Sequence, residues 1–598
     1  MKNVKERLAR LRSCLKRDSI EALIIPSTDS HFGEYIQKHF ACREWASGFT
    51  GSAGTLVVTL TSAALWTDSR YFVQAHQELL DSGIELMKMR VADTPSIPEW
   101  IKGEVAPGSF VGIDPMLFSK GEFDSLSGEL YPHKIKLTDD PFKEIWGDRA
   151  PVTFSPASLC DISLVGCDSK SKLKLVFQKL NIEKDIIYIL SSCDDIAWLC
   201  NIRGTDIPFN PLFISYAAFT KDKIYLFASR EAFSQDQESF LGDSGVELCN
   251  YNEFQVFIKE FNRDFIRMAP VDKISVQIFN SAVSGGATFI SDPIRGGVTG
   301  SVKAVKNSTE IDGFRKAMLY DGVAWVKFWI YLEEELGRGA QNITEEVLAN
   351  KIGEIRGEYS QYKGESFSPI VAFGQNGALP HYSPFGNGPV KVGRDSFLLV
   401  DTGAQYPFGT TDTTRTFALG NLTQEQKRDY TLVLKGMINL SMARFIKGTR
   451  GASLDFLARG AVSSAAKIYT HGTGHGIGHN LCVHEGPQSI RMEENPVALE
   501  PGMVISNEPA IYEEGSYGIR IENAILCKKW VENKYGEFYE FETLTMVPID
   551  LTPVDKELLG TKEIQWINNY HSDLYKKLSV LLNDRERVWL AGKTANID

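Results

Sequence analysis

Two adjoining segments decide how this chain is interpreted: FLLVDTGAQ at residues 397–405 and GTTDTTRT at residues 409–416. The apolar run of the first segment ends at Asp401, and the second segment supplies another carboxylate at Asp412. This pattern predicts two strands joined by a turn, with both acids brought to one place. Because two close carboxylates repel each other, they need a proton, a cation or a metal ion between them.

Three later segments supply further side chains of the kinds that bind metals. His475 lies in HGTGHGIG at residues 471–478, Glu508 follows an apolar run, and Glu522 lies in IRIEN at residues 519–523. Taken alone, Asp401 could be a helix cap or a turn residue, and Asp412 could be a surface acid. Four carboxylates and one imidazole together suit two hard or borderline divalent ions that share bridging carboxylates.

The residues around Glu522 alternate in character. In a strand, a period of two places Arg520 and Glu522 on one face and Ile519 and Ile521 on the other. If the isoleucines face the core, the charged face needs water, a polar partner or a metal ion.

Histidines are concentrated in the same part of the sequence. A single histidine is more often a hydrogen-bonded core residue than a ligand, but several in one interval favour a site. Five of the ten histidines lie in the interval from 381 to 484: His381, His471, His475, His479 and His484.

Composition and charge exclude several classes of protein. The net charge of -12, with no basic stripe, argues against nucleic-acid binding. There is no uninterrupted apolar run of about 18 residues, so no membrane span is expected. The first residues are charged and lack the apolar core of a signal peptide. The nine cysteines are odd in number and scattered, which indicates reduced thiols in a cytoplasmic protein.

The length of 598 residues predicts several domains. Helix and strand signals alternate over residues 1–150 and recur in the same order over 151–299, offset by roughly 165 residues, which favours two related α/β domains. A third domain is predicted for 300–598, with a helical extension from about 548 packed onto it. Neither of the first two domains has a cluster of histidines and acids, so scaffolding, dimerisation or gating is the expected role.

Local signals predict individual elements within these domains. Thr67 or Asp68 is expected to cap a helix, and a strand is expected near residues 212–216. The segment 308–311 resembles a capping box at the start of a helix that continues to about Leu332.

Nine short motifs along the chain match one known family, and they extend over nearly its whole length. They are TDSRYF at 67–72, PHY at 380–382, VDTGAQY at 400–406, GTTDTTRT at 409–416, HGTGHGIG at 471–478, VHEGP at 483–487, EP at 508–509, GIRIEN at 518–523 and WINNYH at 566–571. The chain resembles the metallopeptidases of the pita-bread fold, which include methionine aminopeptidase, prolidase and aminopeptidase P. It most closely resembles the three-domain, cytosolic type of aminopeptidase P, which implies an α/β chain with two creatinase-like N-terminal domains before a pita-bread catalytic domain.

The resemblance also implies a set of metal ligands. Asp401 is expected to hold one ion, Asp412 and Glu522 to bridge both ions, and His475 with Glu508 to hold the other.

Further side chains match family positions around the metals. His381 and His484 fall where the family places histidines that position substrate and handle protons, and His471 falls at an accessory position. Arg520 matches the arginine beside the bridging glutamate, and Arg70 is expected to reach substrate or a partner subunit. The role of His479 is left open.

The function expected from the resemblance is release of the N-terminal residue from peptides that carry proline in the second position. A hydroxide that bridges two divalent ions would attack, and Glu508 would shuttle the proton. The oxygen-rich ligand set favours manganese, although zinc or cobalt would also fit. A homodimer is implied by the resemblance alone. A pocket for proline lined by His381, His484 and either Tyr382 or Tyr512 is expected.

Three alternatives remain open. A prolidase, restricted to dipeptides, shares the metal ligands. A methionine aminopeptidase is disfavoured because two further domains precede the catalytic one. A metal-free module of the same fold that binds peptides without cutting them is disfavoured because Asp412 and Glu522 are both present.

Overall fold

The protein is described by a computed structural model that covers residues 2–339, 343–386 and 388–598. The chain folds into two compact units. The first comprises Met1–Leu159 and Cys167–Val302, and the second comprises Cys160–Gly166 and Lys303–Asp598. Within the described ranges, no helix has the length and apolar character needed to cross a membrane.

The first unit contains a mixed six-stranded sheet, in the order β4-β3-β2-β1-β5-β6. The pairs β1–β2 and β2–β3 are antiparallel and the other three pairs are parallel. The strands are β1 Ala22–Ile25, β2 Thr55–Thr59, β3 Ala63–Thr67, β4 Glu85–Lys88, β5 Phe110–Ile113 and β6 Lys134–Leu137.

A second sheet in the same unit repeats this topology. Its order is β12-β11-β10-β8-β13-β14, and its antiparallel and parallel pairs fall at equivalent places. The prediction of two related α/β domains is therefore confirmed, whereas the boundaries near residues 150 and 300 stay predictions. The strands are β7 Ser158–Leu159, β8 Ile186–Leu190, β9 Ile202–Arg203, β10 Tyr216–Phe219, β11 Ile224–Ala228, β12 Val246–Asn250, β13 Ile266–Ala269 and β14 Phe289–Ser291, of which β7 and β9 pair separately.

Two local predictions for this unit are wrong. Residues 212–215 are not a strand, because Asp206 folds this segment into a loop: its carboxylate accepts from the Ile214 amide at 2.7 Å and its amide donates to the Leu212 carbonyl at 2.9 Å. Thr67 and Asp68 do not cap a helix, since the helix begins at Phe72 and Asp68 pairs with Arg70 instead.

Helices alternate with these strands along the chain, although Ile162–Val165 belongs to the second unit and Gly297–Ala304 crosses the boundary between the units. They are α1 Lys2–Arg17, α2 Cys42–Ser47, α3 Phe72–Glu78, α4 Ile97–Glu104, α5 Lys120–Leu130, α6 Phe142–Ile145, α7 Ile162–Val165, α8 Ser169–Leu180, α9 Cys193–Cys200, α10 Gln235–Asp243, α11 Phe254–Glu260, α12 Val276–Val283 and α13 Gly297–Ala304. Apolar side chains of α1, including Leu8 and Leu11, are buried against the first sheet.

The second unit is built from antiparallel strands. A three-stranded sheet has the order β15-β16-β19 and a six-stranded sheet has the order β20-β27-β26-β23-β21-β22, while β17–β18 and β24–β25 form pairs. The strands are β15 Ile370–Phe373, β16 Ser396–Thr402, β17 Gln405–Tyr406, β18 Gly409–Thr410, β19 Thr413–Leu419, β20 Arg444–Ile446, β21 Gly474–Gly476, β22 Glu485–Ile490, β23 Val504–Asn507, β24 Ala510–Glu513, β25 Tyr517–Arg520, β26 Asn523–Asn533 and β27 Gly536–Thr543.

Six long helices pack around these sheets. The longest begins with a capping box formed by Asn307 and Glu310, one residue earlier than the sequence suggested. The helices are α14 Ser308–Gly337, α15 Glu345–Gly357, α16 Gln424–Ser441, α17 Ala452–Ser463, α18 Thr561–Leu578 and α19 Asp584–Lys593.

The C-terminal extension is part of the core of this unit. Ile567, Leu574 and Leu590 are fully buried in the same apolar cluster as Ile519 and Ile521. Burial of each such side chain contributes about 1.5–3 kcal/mol relative to exposure. The extension therefore packs onto the third domain, as its helical pattern predicted.

Arg415 connects this extension to the strands of the site. Its guanidinium is fully buried and donates to the carbonyl oxygens of Glu522 (2.6 Å), Val547 (2.8 Å) and Pro548 (3.0 Å). It also lies 3.1 Å from the hydroxyl of Tyr570 on α18. One arginine thus joins β19, the segment carrying Glu522 and α18.

Candidate metal centre

Asp401 and Asp412 are held by neighbouring strands. Asp401 is the penultimate residue of β16, and Asp412 directly precedes β19. The antiparallel register pairs Asp401 with Thr414, so the two carboxylates lie near the same end of the strand pair. Both residues are buried, as a strand entering the core requires.

Glu522 reaches the site from a break between two strands. β25 ends at Arg520 and β26 begins at Asn523, so the chain is not one continuous strand here. Ile519 and Ile521 nevertheless lie in the core, and Thr414 donates to Oε2 of Glu522 at 2.8 Å. The predicted division into an apolar and a charged face is present despite the break.

His475 and Glu508 complete the cluster. His475 lies in β21, and Glu508 follows β23. Because a carbonyl can only accept, Nδ1 of His475 donates to the Gly476 carbonyl at 2.9 Å, which leaves Nε2 for the site. Nε2 lies 3.3 Å from Oδ2 of Asp412 and 3.6 Å from Oε1 of Glu508.

The cluster has the chemistry of a cation site. Ligand atoms of Asp412, His475 and Glu522 all lie within 4.8 Å of one another. Oδ1 of Asp401 is buried and, among the described residues, has no hydrogen-bond partner. A buried, unpaired carboxylate oxygen is costly unless a cation or donor satisfies it. The residues therefore fit divalent metal ions.

In the absence of metal, the pKa values of these side chains also indicate that the site favours positive charge. Burial raises the pKa of Asp401, Glu508 and Glu522, and the neighbouring carboxylates raise it further. For Glu508 the pKa rises to about 7. Burial lowers the pKa of His475, but Asp412 and Glu508 outweigh it and raise this pKa to about 9.

Arg520 orients Asp401 and begins a hydrogen-bonded chain. Its Nη2 lies 2.5 Å from Oδ2 of Asp401, and its Nη1 donates to the hydroxyl of Tyr512 at 2.5 Å. That hydroxyl is 2.9 Å from Nε2 of His471, whose Nδ1 donates to the Gly472 carbonyl at 2.7 Å. Arg520 and His471 are thus both brought to the site.

His484 and His381, two further predicted histidines, are half-buried. His484 packs edge-to-face on His475, with ring centroids 4.4 Å apart. His381 follows Pro380, whose carbonyl oxygen is 3.5 Å from Nη2 of Arg520.

Three other residues considered from the sequence have different surroundings. Tyr382 turns its hydroxyl to Glu345 at 2.6 Å and packs with Ile370, so it is a core residue and only Tyr512 remains for the expected pocket. His479 is buried beside Phe314, with ring centroids 5.6 Å apart. Arg70 belongs to the first compact unit, where both Nε and Nη2 lie 2.8 Å from the carboxylate of Asp68.

Sequence reasoning missed two hydroxyls that support the ligands. The Thr414 hydroxyl donates a hydrogen bond to Glu522 and accepts one from Nε of Arg520 at 3.2 Å. The Ser506 hydroxyl accepts a hydrogen bond from the His475 amide at 3.0 Å and lies 3.3 Å from Oε1 of Glu508. The alternation in residues 412–416 could have indicated Thr414, because it shares a strand face with Asp412.

Models of known protein families match most of the chain. Residues 7–143 and 148–310 each match a Creatinase/Prolidase N-terminal domain, and residues 312–529 match Metallopeptidase family M24. Residues 537–597 match the C-terminal region of peptidase_M24. Fold and site together define a metallopeptidase with paired creatinase-type N-terminal domains.

Individual relatives narrow this class. The chain is 38% identical over 595 residues to a probable Xaa-Pro aminopeptidase P of Botryotinia fuckeliana, covering 96% of this chain and 90% of the relative. It is also 38% identical over 612 residues to a protein of the same description from Neurospora crassa, covering 99% and 89%. The X-prolyl aminopeptidase of Caenorhabditis elegans, described as a cytosolic enzyme with a di-nuclear active site, superimposes with a TM-score of 0.94 at 34% identity, covering 99% of this chain and 100% of that one. The chain belongs to the Xaa-Pro aminopeptidase P family.

Proposed function

We propose that this protein is a metal-dependent aminopeptidase that releases the N-terminal residue from peptides with proline in the second position. The observation that carries the proposal is the convergence of Asp412, His475 and Glu522 within 4.8 Å, beside the unpaired Oδ1 of Asp401. The family relatives support the choice of substrate, because they are described as Xaa-Pro aminopeptidases.

Each ligand is assigned to one or both of two ions. Asp401 would hold the first ion, His475 and Glu508 would hold the second, and Asp412 and Glu522 would serve both. Manganese fits best because four of the five ligands are carboxylates, and zinc or cobalt could replace it. When bound, such ions supply an electrophile for the scissile carbonyl and a nucleophilic water at neutral pH.

The protein's own groups handle the proton and the developing charge. Glu508 takes a proton from the attacking water and delivers it to the leaving proline nitrogen, because a carboxylate can act first as general base and then, once protonated, as general acid. His381 and His484 donate hydrogen bonds to the carbonyl oxygen as negative charge develops on it. Arg520 keeps Asp401 in place through its ion pair.

The proline ring is recognised by shape and by its missing N–H. Imidazole and aromatic faces of His484, His381 and Tyr512 form an apolar wall that accepts the ring without requiring a donor from the peptide. His471 supports this wall by its hydrogen bond to Tyr512.

The protein acts as a homodimer in the cytoplasm. Three large apolar side chains of the second unit, Phe456, Ile468 and Met492, are 65–70% exposed, as residues at an interface would be in an isolated chain. The nine cysteines, all within the described ranges, form no disulfides with one another, as expected in a reducing compartment. Arg70 contacts either substrate or the partner subunit.

A peptide panel with controlled metal tests the proposal. The metal-free protein is reloaded with Mn²⁺ and offered Xaa-Pro-Xaa tripeptides, Xaa-Pro dipeptides and Xaa-Ala-Xaa peptides, with product release followed by mass spectrometry. Cleavage of the Xaa-Pro bond in the tripeptides is expected. The kcat of the Glu508→Gln variant should be about 10²–10⁴-fold lower than that of the wild type. Glu514 is exposed, so Glu514→Gln is the matched control and should keep wild-type turnover.

Other results of the peptide panel would favour one of the two alternative functions. Cleavage of dipeptides alone would identify a prolidase. Binding of peptides without hydrolysis and without near-stoichiometric Mn²⁺ would identify a non-catalytic peptide-binding module, and would overturn the proposal.

A further inference from the structure

Two buried threonines adjoin the metal-binding aspartates in sequence. Thr402 directly follows Asp401 and Thr411 directly precedes Asp412, and both threonines are fully buried. Neighbouring residues of a strand point to opposite faces, so Thr402 points away from the face of Asp401. Both threonine hydroxyls are bound by one group of charged side chains on that far side.

Each hydroxyl both donates and accepts. Thr402 Oγ1 donates to Oε2 of Glu365 at 2.9 Å and accepts from Nη1 of Arg356 at 2.7 Å. Thr411 Oγ1 donates to Oδ2 of Asp321 at 2.9 Å and accepts from the Ala404 amide at 2.9 Å. The single proton of each hydroxyl is therefore committed to a carboxylate of this group.

Arg356, Asp321 and Glu365 form the charged group, hereafter the Arg356 cluster. Nε of Arg356 lies 2.7 Å from Oδ1 of Asp321, and Nη2 lies 3.2 Å from Oδ2. Nη1 also pairs with Glu365 and lies 3.2 Å from the Gly403 carbonyl. Asp321 comes from α14 and Arg356 from α15, whereas Glu365 lies in the segment between α15 and β15.

Ser366 holds together the two ends of the segment between Asp401 and Asp412. Ser366 donates from its hydroxyl to the Thr411 carbonyl at 2.9 Å and from its amide to the Gly403 carbonyl at 3.0 Å. A Cβ at Gly403 would lie 1.9 Å from the Thr411 carbonyl oxygen, so only glycine permits this approach. The residues next to both metal ligands are therefore fixed relative to each other.

Stability alone does not account for the Arg356 cluster. The side chains of Arg356 and Asp321 are 0% and 2% exposed, and burying such charges costs as much as or more than their attraction returns. Well-packed apolar residues of similar volume would serve stability equally well. The group's contacts instead converge on the two residues that flank Asp401 and Asp412.

We infer that the Arg356 cluster is a set of positioning residues that fixes the spacing of Asp401 and Asp412, and with it the affinity for the pair of metal ions. The inference rests on the proposed metal site and adds the residues that hold its ligands apart at the required distance. Each member of the cluster acts on the ligands through a threonine and not by direct contact with substrate or metal.

Mn²⁺ binding by threonine variants tests this inference. Thr402→Val and Thr411→Val remove the hydroxyls while keeping the branched shape, and Thr402→Ser and Thr411→Ser restore them. Thr431→Val is the matched control: Thr431 is fully buried and its hydroxyl also donates to a carbonyl (Lys427, 2.8 Å) and accepts from an amide (Asp555, 2.9 Å), but it adjoins no ligand. Affinity is measured on metal-free protein by equilibrium dialysis with elemental analysis, alongside the thermal midpoint.

The expected result separates positioning from packing. Both Val variants next to the aspartates should bind Mn²⁺ about 10- to 100-fold more weakly, both Ser variants should bind close to wild type, and Thr431→Val should lose thermal stability without losing affinity. Val variants that are destabilised like Thr431→Val but bind Mn²⁺ as wild type does would overturn the inference. If wild type binds Mn²⁺ but cleaves no peptide, the proposed function fails while the comparison of affinities still decides this question.

Discussion

Arg520 and Asp401 form a buried ion pair that uses only one oxygen of the carboxylate. Nη2 lies 2.5 Å from Oδ2, whereas Oδ1 has no hydrogen-bond partner within the described ranges. The guanidinium therefore fixes the rotation of the carboxylate and leaves its second oxygen for a metal ion. Burial opposes the charge on Arg520, but Tyr512, Asp401 and Glu508 raise its pKa well above the usual value.

Arg520→Lys should weaken the site although it preserves charge. A lysine cannot reproduce the separate contacts that Nη1 and Nε make with Tyr512 and Thr414. We expect kcat/KM and Mn²⁺ affinity to fall by about 10- to 100-fold. Arg450→Lys, at a half-exposed arginine paired with Glu494, is the control. Affinity equal to wild type in Arg520→Lys would show that the charge alone suffices.

Asp401 and Asp412 should differ when each is changed to asparagine. Asp412 is proposed to contact both ions and Asp401 only one, so Asp401→Asn should retain about one ion per chain and Asp412→Asn should weaken both. Elemental analysis after dialysis against graded free Mn²⁺ measures this. Equal losses in the two variants would contradict the unequal assignment.

Metal removal should destabilise the protein more at high pH than at low pH. Glu508 has a folded pKa of about 7, above its ordinary value of about 4.5, so the folded chain retains a proton that the unfolded chain releases. Stability from this group is present below about pH 4.5 and is lost as pH rises through about 7. The raised pKa values of Asp401 and Glu522 act in the same direction.

Urea midpoints of the metal-free and Mn²⁺-loaded protein at pH 5.5 and pH 8 test this expectation. The gap between the two forms should widen at pH 8. Metal-free Glu508→Gln, which cannot ionise at this position, should show a smaller loss between the two pH values. A gap that narrows at pH 8 would refute the account of the cluster as carboxylates in need of a cation.

His571 should make the protein sensitive to mild acid. This fully buried imidazole accepts from the Ile549 amide at 3.1 Å, and burial, together with Arg415, lowers its pKa to about 4. The unfolded chain binds a proton below about pH 6.5 and the folded chain does not, so stability is lost as pH falls from about 6.5 to about 4. At pH 5 the loss from this group is about 2 kcal/mol.

His571→Gln should therefore be less stable than wild type at pH 7.5 but less sensitive to acid. The difference in unfolding free energy between the two proteins should shrink by about 2 kcal/mol at pH 5. The exposed His76→Gln is the control and should leave the pH profile unchanged. An unchanged difference between wild type and His571→Gln at both pH values would exclude His571 as the source.

The sequence indicated three of the proposed ligands through local patterns: Asp401 and Glu508 end apolar runs, and Glu522 lies on the polar face of an alternating run. Even the break between Arg520 and Asn523 did not disturb the alternation of Ile521 and Glu522, since burial of the isoleucine fixes both faces. The two related N-terminal domains were likewise visible, because their elements recur in one order.

The supporting contacts could not be predicted in this way. Arg356, Asp321 and Thr411 come from three separate elements and meet only after the helices pack, so no local pattern marks them. The misassigned strand near residue 212 has a similar origin. Asp206 accepts from the Ile214 amide through its carboxylate and donates to the Leu212 carbonyl through its own amide, and these two bonds override the strand propensity of an apolar segment.

The hydrogen bonds of Arg415 limit how far this chain can be shortened from its C-terminal side. Removal of α18 would take away Tyr570, whose hydroxyl also binds the Thr545 and Val547 carbonyls, and would leave a guanidinium without one of its polar neighbours beside the backbone of Glu522. Truncated versions made for expression or crystallisation must therefore keep the chain past this helix.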